Sequence, residues 1–267
     1  MQDLFLLATR YLAYNMRFFK LFHYLSLDVA LGALAYQALF WWIRWQVFPP
    51  HVNQYLLFSS IWMVYLLDRL IDSTLWRIKD QRHQFIQSNS IFVGLLMLVL
   101  VVGNLLCLFL VDKTLLFEGF GLLLAMGLYW LGWVKNWYKS FLSKETFTAV
   151  LYVTGIVLPI SWPLEGPFFL FGTLFFLIVF HHLKLFLHLA GKPSNLYLNL
   201  SEMLMGLMLC ALVFYEQVPF IVLISFLITL GVQLFIRYFY PKIRSRPLAE
   251  AAYWSPLIFI LYELFSK

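Results

Sequence analysis

The sequence predicts an all-α polytopic membrane protein, a bundle of nine transmembrane helices with its N-terminus inside. Three observations carry that expectation. Of the 267 residues, 63% are hydrophobic and only 12% are charged, whereas about a quarter of a soluble domain is charged. Apolar runs of spanning length recur at about 26–46, 54–71, 89–111, 115–134, 146–164, 168–190, 196–215, 218–239 and 250–265. Lys and Arg also gather on alternate connections. One side takes Arg10, Arg17 and Lys20, then Arg69, Arg77, Lys79 and Arg82, then Lys135, Lys139 and Lys144, then Lys184 and Lys192, then Arg237, Lys242, Arg244 and Arg246. The other side keeps only Arg44, Lys113 and Lys267. The positive-inside rule describes this asymmetry, and a wrong span count would scramble it.

Taken in order, residues 1–24 mix aromatics with basic residues and read as an interfacial helix on the inner face. Residues 25–267 form the nine-helix domain. Pro49 and Pro50 separate spans one and two, Pro163 and Pro167 separate five and six, and the PKIRSRP loop separates eight and nine. The boundary between six and seven falls near Gly191, Lys192 and Pro193. Trp41, Trp42, Trp45, Tyr238 and Tyr240 lie near span ends and read as interfacial anchors. Cys107 and Cys210 each lie in an apolar run and read as small core residues with no disulfide framework. No cleavable signal peptide is expected, because the first 24 residues lack an apolar h-region followed by a small-residue site. The net charge of +6 is spread over short loops and is explained by topology, so no nucleic-acid partner is expected. The longest connection, about 73–88, is short, so chemistry is expected in the membrane or at its inner face.

Polar residues collect at three inner connections. In the first, WMVYLLDRLID (Trp62–Asp72), Asp68 and Asp72 are four apart and share one helical face, with Arg69 beside them. Carboxylates at the end of a span are costly without compensation and mark a functional site by default. Two stacked carboxylates suit Mg²⁺, which takes one or two of them plus phosphate oxygens. The same residues equally suit a helix leaving the bilayer with Arg69 as counter-charge. The second cluster is Lys135, Asn136, Lys139, Lys144 and Glu145. The third is His181, His182, Lys184 and His188, of which 181, 184 and 188 fall on one face. Carboxylates beside a ring of cations fit a metal-assisted diphosphate site, though topology alone accounts for any single lysine. The histidines lack a closing zinc ligand set. Asp28 and Asn104 read as helix-end and helix-packing residues.

With these residues in place, the chain resembles the UbiA superfamily of intramembrane prenyltransferases. Asp68-Arg69-Leu70-Ile71-Asp72 matches the DRxxD half of that family's first aspartate motif, at the inner end of span two. The basic connection Lys135–Glu145 and the following LYVTGIVLP helix also match in position. The resemblance implies helices around a central cavity open to lipid, in which a prenyl diphosphate binds through Mg²⁺ and alkylates a lipid-soluble acceptor such as a quinone precursor. It implies Asp68 and Asp72 as metal ligands and catalytic residues, and Arg82, Lys135 and Lys139 as diphosphate contacts. Arg69, His181, Lys184 and His188 join them as substrate-binding candidates. The expected setting is a bacterial inner (plasma) membrane with the site on the cytoplasmic side. The chain departs from the family at Val64 and Tyr65, where Asn and Asp are usual. After span six it carries HHLKLFLHLAGKPSN, with no carboxylate where a second aspartate motif belongs. The alternative is a catalytically silent relative that binds an isoprenoid or supports a membrane complex. A small transporter ranks below both, because the midplane carries few ionisable groups.

Overall fold

The computed structural model describes residues 21–75, 81–134, 143–160, 166–213, 220–241 and 245–265. Within them the chain is all-α. The helices are α1 (Leu27–Trp45), α2 (His51–Leu75), α3 (Gln81–Ser88), α4 (Ser90–Cys107), α5 (Lys113–Val134), α6 (Lys144–Val157), α7 (Gly166–Leu189), α8 (Asn195–Val213), α9 (Phe220–Tyr238), α10 (Arg246–Ala251) and α11 (Ser255–Phe265). A 3₁₀ turn, Ala252–Trp254, joins the last two. Among the described residues, five helices are long and apolar enough to cross a membrane: α4, α5, α7, α8 and α9. The expected interfacial helix falls mostly outside the described residues, as do Lys135 and Lys139.

Local chemistry sets several helix ends. Ser143 caps α6 by accepting the Thr146 amide N–H at 3.3 Å, which satisfies one of the orphan donors of the first turn. Between α7 and α8 the chain turns at Gly191, whose φ of +84° belongs to a region that glycine enters without penalty.

Helix α1 is the hub, packing against α2, α6, α10, the 3₁₀ turn and α11. Its Tyr36 is fully buried and stacks on Phe175 of α7 at 4.2 Å between centroids, with Phe226 of α9 at 5.8 Å and Tyr253 at 6.1 Å. The Tyr36 hydroxyl lies 2.8 Å from Thr229 Oγ1, so the ring's polar end is also satisfied. By contrast α4 and α5 are peripheral: only 11% and 6% of the spans they contain are buried, which leaves their apolar faces for lipid. Helix α4 packs on α2 and α3, and α5 leans on α6, where Tyr129 stacks on Phe147 at 4.0 Å. That splay leaves a space between α2, α5 and α6.

Small residues permit the closest approaches. A Cβ at Gly32 would stand 2.9 Å from Tyr253 Cβ, part of a fixed stem with no room to turn aside. Gly32→Val is therefore expected to destabilise the fold by about 1–3 kcal/mol through overpacking. A thermal-unfolding series in detergent checks this, with Gly206→Val, which meets no atom within 4 Å, as the neutral control.

Candidate functional site

The space between α2, α5 and α6 is an elongated cavity of about 260 Å³. Leu56, Leu57, Val64, Leu122, Met126 and Leu151 make its walls predominantly apolar, and Asp68 and Lys144 close one end. Asn53 of α2 and Pro159 beyond α6 mark the far end. From Asn53 to Asp68 is fifteen helical residues, or ~22 Å of rise, so the cavity runs lengthwise through the bundle. Gly119 lies on the α5 wall, and an added Cβ there meets nothing within 4 Å. Gly119→Phe is expected to fill the cavity while leaving the fold intact: thermal stability within about 0.5 kcal/mol of the parent and loss of binding for any chain-like ligand.

At the closed end, the stacking of Asp68 over Asp72 expected from their spacing is realised around Lys144. Its Nζ lies 2.8 Å from Asp68 Oδ1 and 3.1 Å from Asp72 Oδ2. His83 Nε2 stands 3.8 Å from Asp72 and 3.3 Å from Arg69 Nη1. Burial pushes the Asp72 carboxyl up, but His83 and Lys144 outweigh it and hold it below its usual range. Burial likewise pushes Lys144 down, and the two carboxylates more than reverse this, holding the ammonium above its usual value. Lys144 is thus charged and bridges a paired anion.

The neighbouring residue continues the array. Lys184 Nζ donates to Glu145 Oε2 at 3.2 Å and to Ser143 Oγ at 3.0 Å, bringing the end of α7 onto the start of α6. Of the residues singled out from the sequence, Asp68 and Asp72 therefore meet through Lys144, Arg69 joins them through His83, and Lys184 of α7 pairs with Glu145, the residue after Lys144.

The others go elsewhere. Arg82 is buried in a separate network, with Nη2 2.6 Å from Glu250 Oε2 and Nε donating to His23 Nε2 at 3.0 Å. There His23 Nδ1 lies 2.6 Å from Asp28 Oδ2, and Arg246 Nε donates to Glu250 Oε1 at 2.8 Å. His23, Asp28 and Glu250 have the spacing of a metal triad, but the Arg82 guanidinium already neutralises them. His181 turns away into the bundle. Its Nδ1 is 2.8 Å from Gln233 Oε1 and its Nε2 3.0 Å from Glu202 Oε1. Glu202 also accepts from Tyr238 Oη at 2.8 Å. His188 lines a separate, more open pocket at the α7–α8 turn with Lys192, Asn195 and Tyr197.

The donor set can be tested against Mg²⁺. Asp68 and Asp72 offer the hard oxygens that the ion prefers, and Lys144 stands where one cation bridging both carboxylates would sit. Among the described residues no third His, Cys, Asp or Glu closes around that pair. The pair would suit one Mg²⁺ in exchange for Lys144, and among the described residues no further group of such ligands stands beside it for a second.

Lys144 stands out in the sequence only as one of several loop lysines; its register four residues before Thr148 on the cavity wall is the signal that could have marked it. Gln37 of α1 also lines the cavity and escapes a sequence reading, since a lone glutamine in an apolar run carries no motif. Comparisons with protein-family models, with characterised proteins and with solved structures find no match to this chain.

Proposed function

We propose that this protein is a divergent UbiA-like prenyltransferase of nine spans, N-terminus inside, whose cavity takes the prenyl chain and whose Asp68/Asp72/Lys144 end takes the diphosphate. The observation that carries the reading is the cavity itself. It is apolar along most of its length and ends on a carboxylate pair and a half-buried lysine, which matches a molecule with a long apolar tail and a polyanionic head.

In this reading Asp68 and Asp72 would hold one Mg²⁺, which would supply positive charge to offset that of the diphosphate. Lys144, released from the carboxylates, turns to the phosphate oxygens, with Arg69 and Lys184 adding positive charge nearby. The allylic C–O bond breaks with its electron pair leaving on diphosphate. The acceptor's nucleophilic carbon then bonds the allylic carbon and gives up its proton to the released diphosphate. Tyr65, Tyr129 and Trp130 line the wall beside the reacting end and keep water from the cation. Placement on the cytoplasmic side of a bacterial inner membrane belongs to the same proposal.

A second reading has its own support. Lys144 already bridges both carboxylates, with His83 and Arg69 beside Asp72, so an isoprenoid-binding protein without catalysis needs no metal at all. Binding of radiolabelled farnesyl diphosphate in nanodiscs, with Mg²⁺, separates the two. The enzyme reading expects Asp68→Asn and Asp72→Asn each to weaken binding by at least about tenfold. Retention of affinity in both variants would remove the metal role.

A further inference from the structure

The far part of the cavity contains a feature that an apolar tail alone leaves unexplained. Gln37 is 1% exposed and lines the cavity, and its Oε1 has no hydrogen-bond partner. A buried carboxamide oxygen without a donor is costly and is seldom left so. Asn53 and Ser60 line the same cavity from α2. They are seven residues apart and so share a helix face.

The register puts Gln37 away from the charged end. Tyr152 of α6 donates its hydroxyl to Val29 O of α1 at 3.1 Å. Gln37 is eight residues beyond Val29 and Tyr152 eight beyond Lys144, in helices that both run away from the Asp68 end. The carboxamide therefore lies on the order of 20 Å from Lys144 along the bundle. A group at that depth is beyond reach of a diphosphate held at Asp68.

We propose that Gln37, with Asn53 and Ser60 along the same cavity's wall, forms a hydroxyl-recognition site for a lipid-soluble alcohol or phenol whose O–H donates to Gln37 Oε1. Gln37 is then a specificity-determining residue: it selects, among molecules apolar enough to enter, those that carry a hydroxyl. The geometry favours a hydroxyl because the unmet group is an acceptor in an otherwise oily cavity, and a hydroxyl supplies a donor while adding no charge. This rests on the reading of the cavity as the seat of a lipid-like ligand.

The test compares farnesol with its methyl ether, which has the same chain but no donor, by equilibrium binding to the full chain in nanodiscs. The wild type is expected to bind farnesol about tenfold more tightly than the ether. Gln37→Met, close in volume and helix-compatible, is expected to abolish that preference. Ser60→Ala, a gentler change at a half-buried position, provides the second variant and should reduce the preference about threefold. Equal affinities in the wild type would mean that the carboxamide is served by water only, and would overturn the proposal. So would a preference that persists in Gln37→Met. Farnesyl thiodiphosphate titrated into the same preparation reports on the Asp68 end separately. If it binds while neither farnesol nor the ether does, the hydroxyl site falls and the diphosphate reading stands. If farnesol shows the Gln37-dependent preference while the thiodiphosphate does not bind, the hydroxyl site stands without it.

Discussion

Arg82→Leu is expected to destabilise the protein by about 3–5 kcal/mol. Arg82 and Glu250 are each 3% exposed and pair at 2.6 Å, with Asp28 3.8 Å from the same guanidinium nitrogen. Removing the guanidinium strands two carboxylates in a dry site with only His23 and Arg246 to answer them. The loss is expected to be structural: α3 would part from α10 and from the start of α1, and the melting temperature in detergent would fall steeply. Arg82→Lys keeps the charge but loses the fork that engages Glu250 and His23 together, and should fall between wild type and Arg82→Leu. If Arg82→Leu melts within a degree or two of wild type yet loses prenyl diphosphate binding, Arg82 belongs to the ligand site and the assignment of this network as structural is wrong.

Lys144→Met should have the largest effect on ligand binding. With Nζ gone, Asp68 and Asp72 lose the cation that bridges them and keep only His83 and Arg69 on the Asp72 side, so any cation that can enter gains what the lysine supplied. Mg²⁺ affinity at the pair is expected to rise about tenfold, while prenyl thiodiphosphate binding in the absence of Mg²⁺ is lost. Titration of Mg²⁺ into wild type and variant, followed by intrinsic tryptophan fluorescence, reads the first effect, since Trp130 lines the cavity. An unchanged Mg²⁺ response would show that Lys144 and the metal do not share the carboxylates.

The two substitutions separate two kinds of polar cluster that look alike in the sequence. Arg82 and Lys144 are both basic residues at connections where the positive-inside rule would place them. One ties the ends of α1, α3 and α10 together, and the other caps a cavity. Nothing in their immediate neighbours distinguishes them, because the deciding partners lie far along the chain: Glu250 is 168 residues from Arg82, and Asp72 is 72 from Lys144. The pairing of Asp68 with Asp72, in contrast, is legible from a spacing of four on one helix, since local geometry alone fixes it. The helical class is legible from composition for the same reason, and the five strongest spans from their hydropathy. Helices such as α1 and α2 are harder to read. Asp28, Gln37, Arg44, Asp68 and Asp72 dilute their hydropathy, and those polar residues are among the ones that build the networks and the cavity.

His181, Lys184 and His188 show how far a shared helical face can be trusted. Spacings of three and four place them on one side of α7, yet each meets a different neighbour: Glu202 and Gln233, Glu145 and Ser143, and the turn into α8. Over seven residues the helix advances about 10 Å, enough to pass from the bundle interior to its end. A face of a helix is not yet a site.

Whether Asp68 and Asp72 hold a metal that receives a diphosphate at the end of the cavity can be measured by isothermal titration. The full chain in detergent is titrated with farnesyl thiodiphosphate, with and without Mg²⁺. Binding should strengthen at least about tenfold with Mg²⁺ and lose that gain in Asp68→Asn. Binding of equal strength with and without the metal would rule out the shared site, leaving Lys144 and its neighbours as a metal-independent receptor for the lipid head.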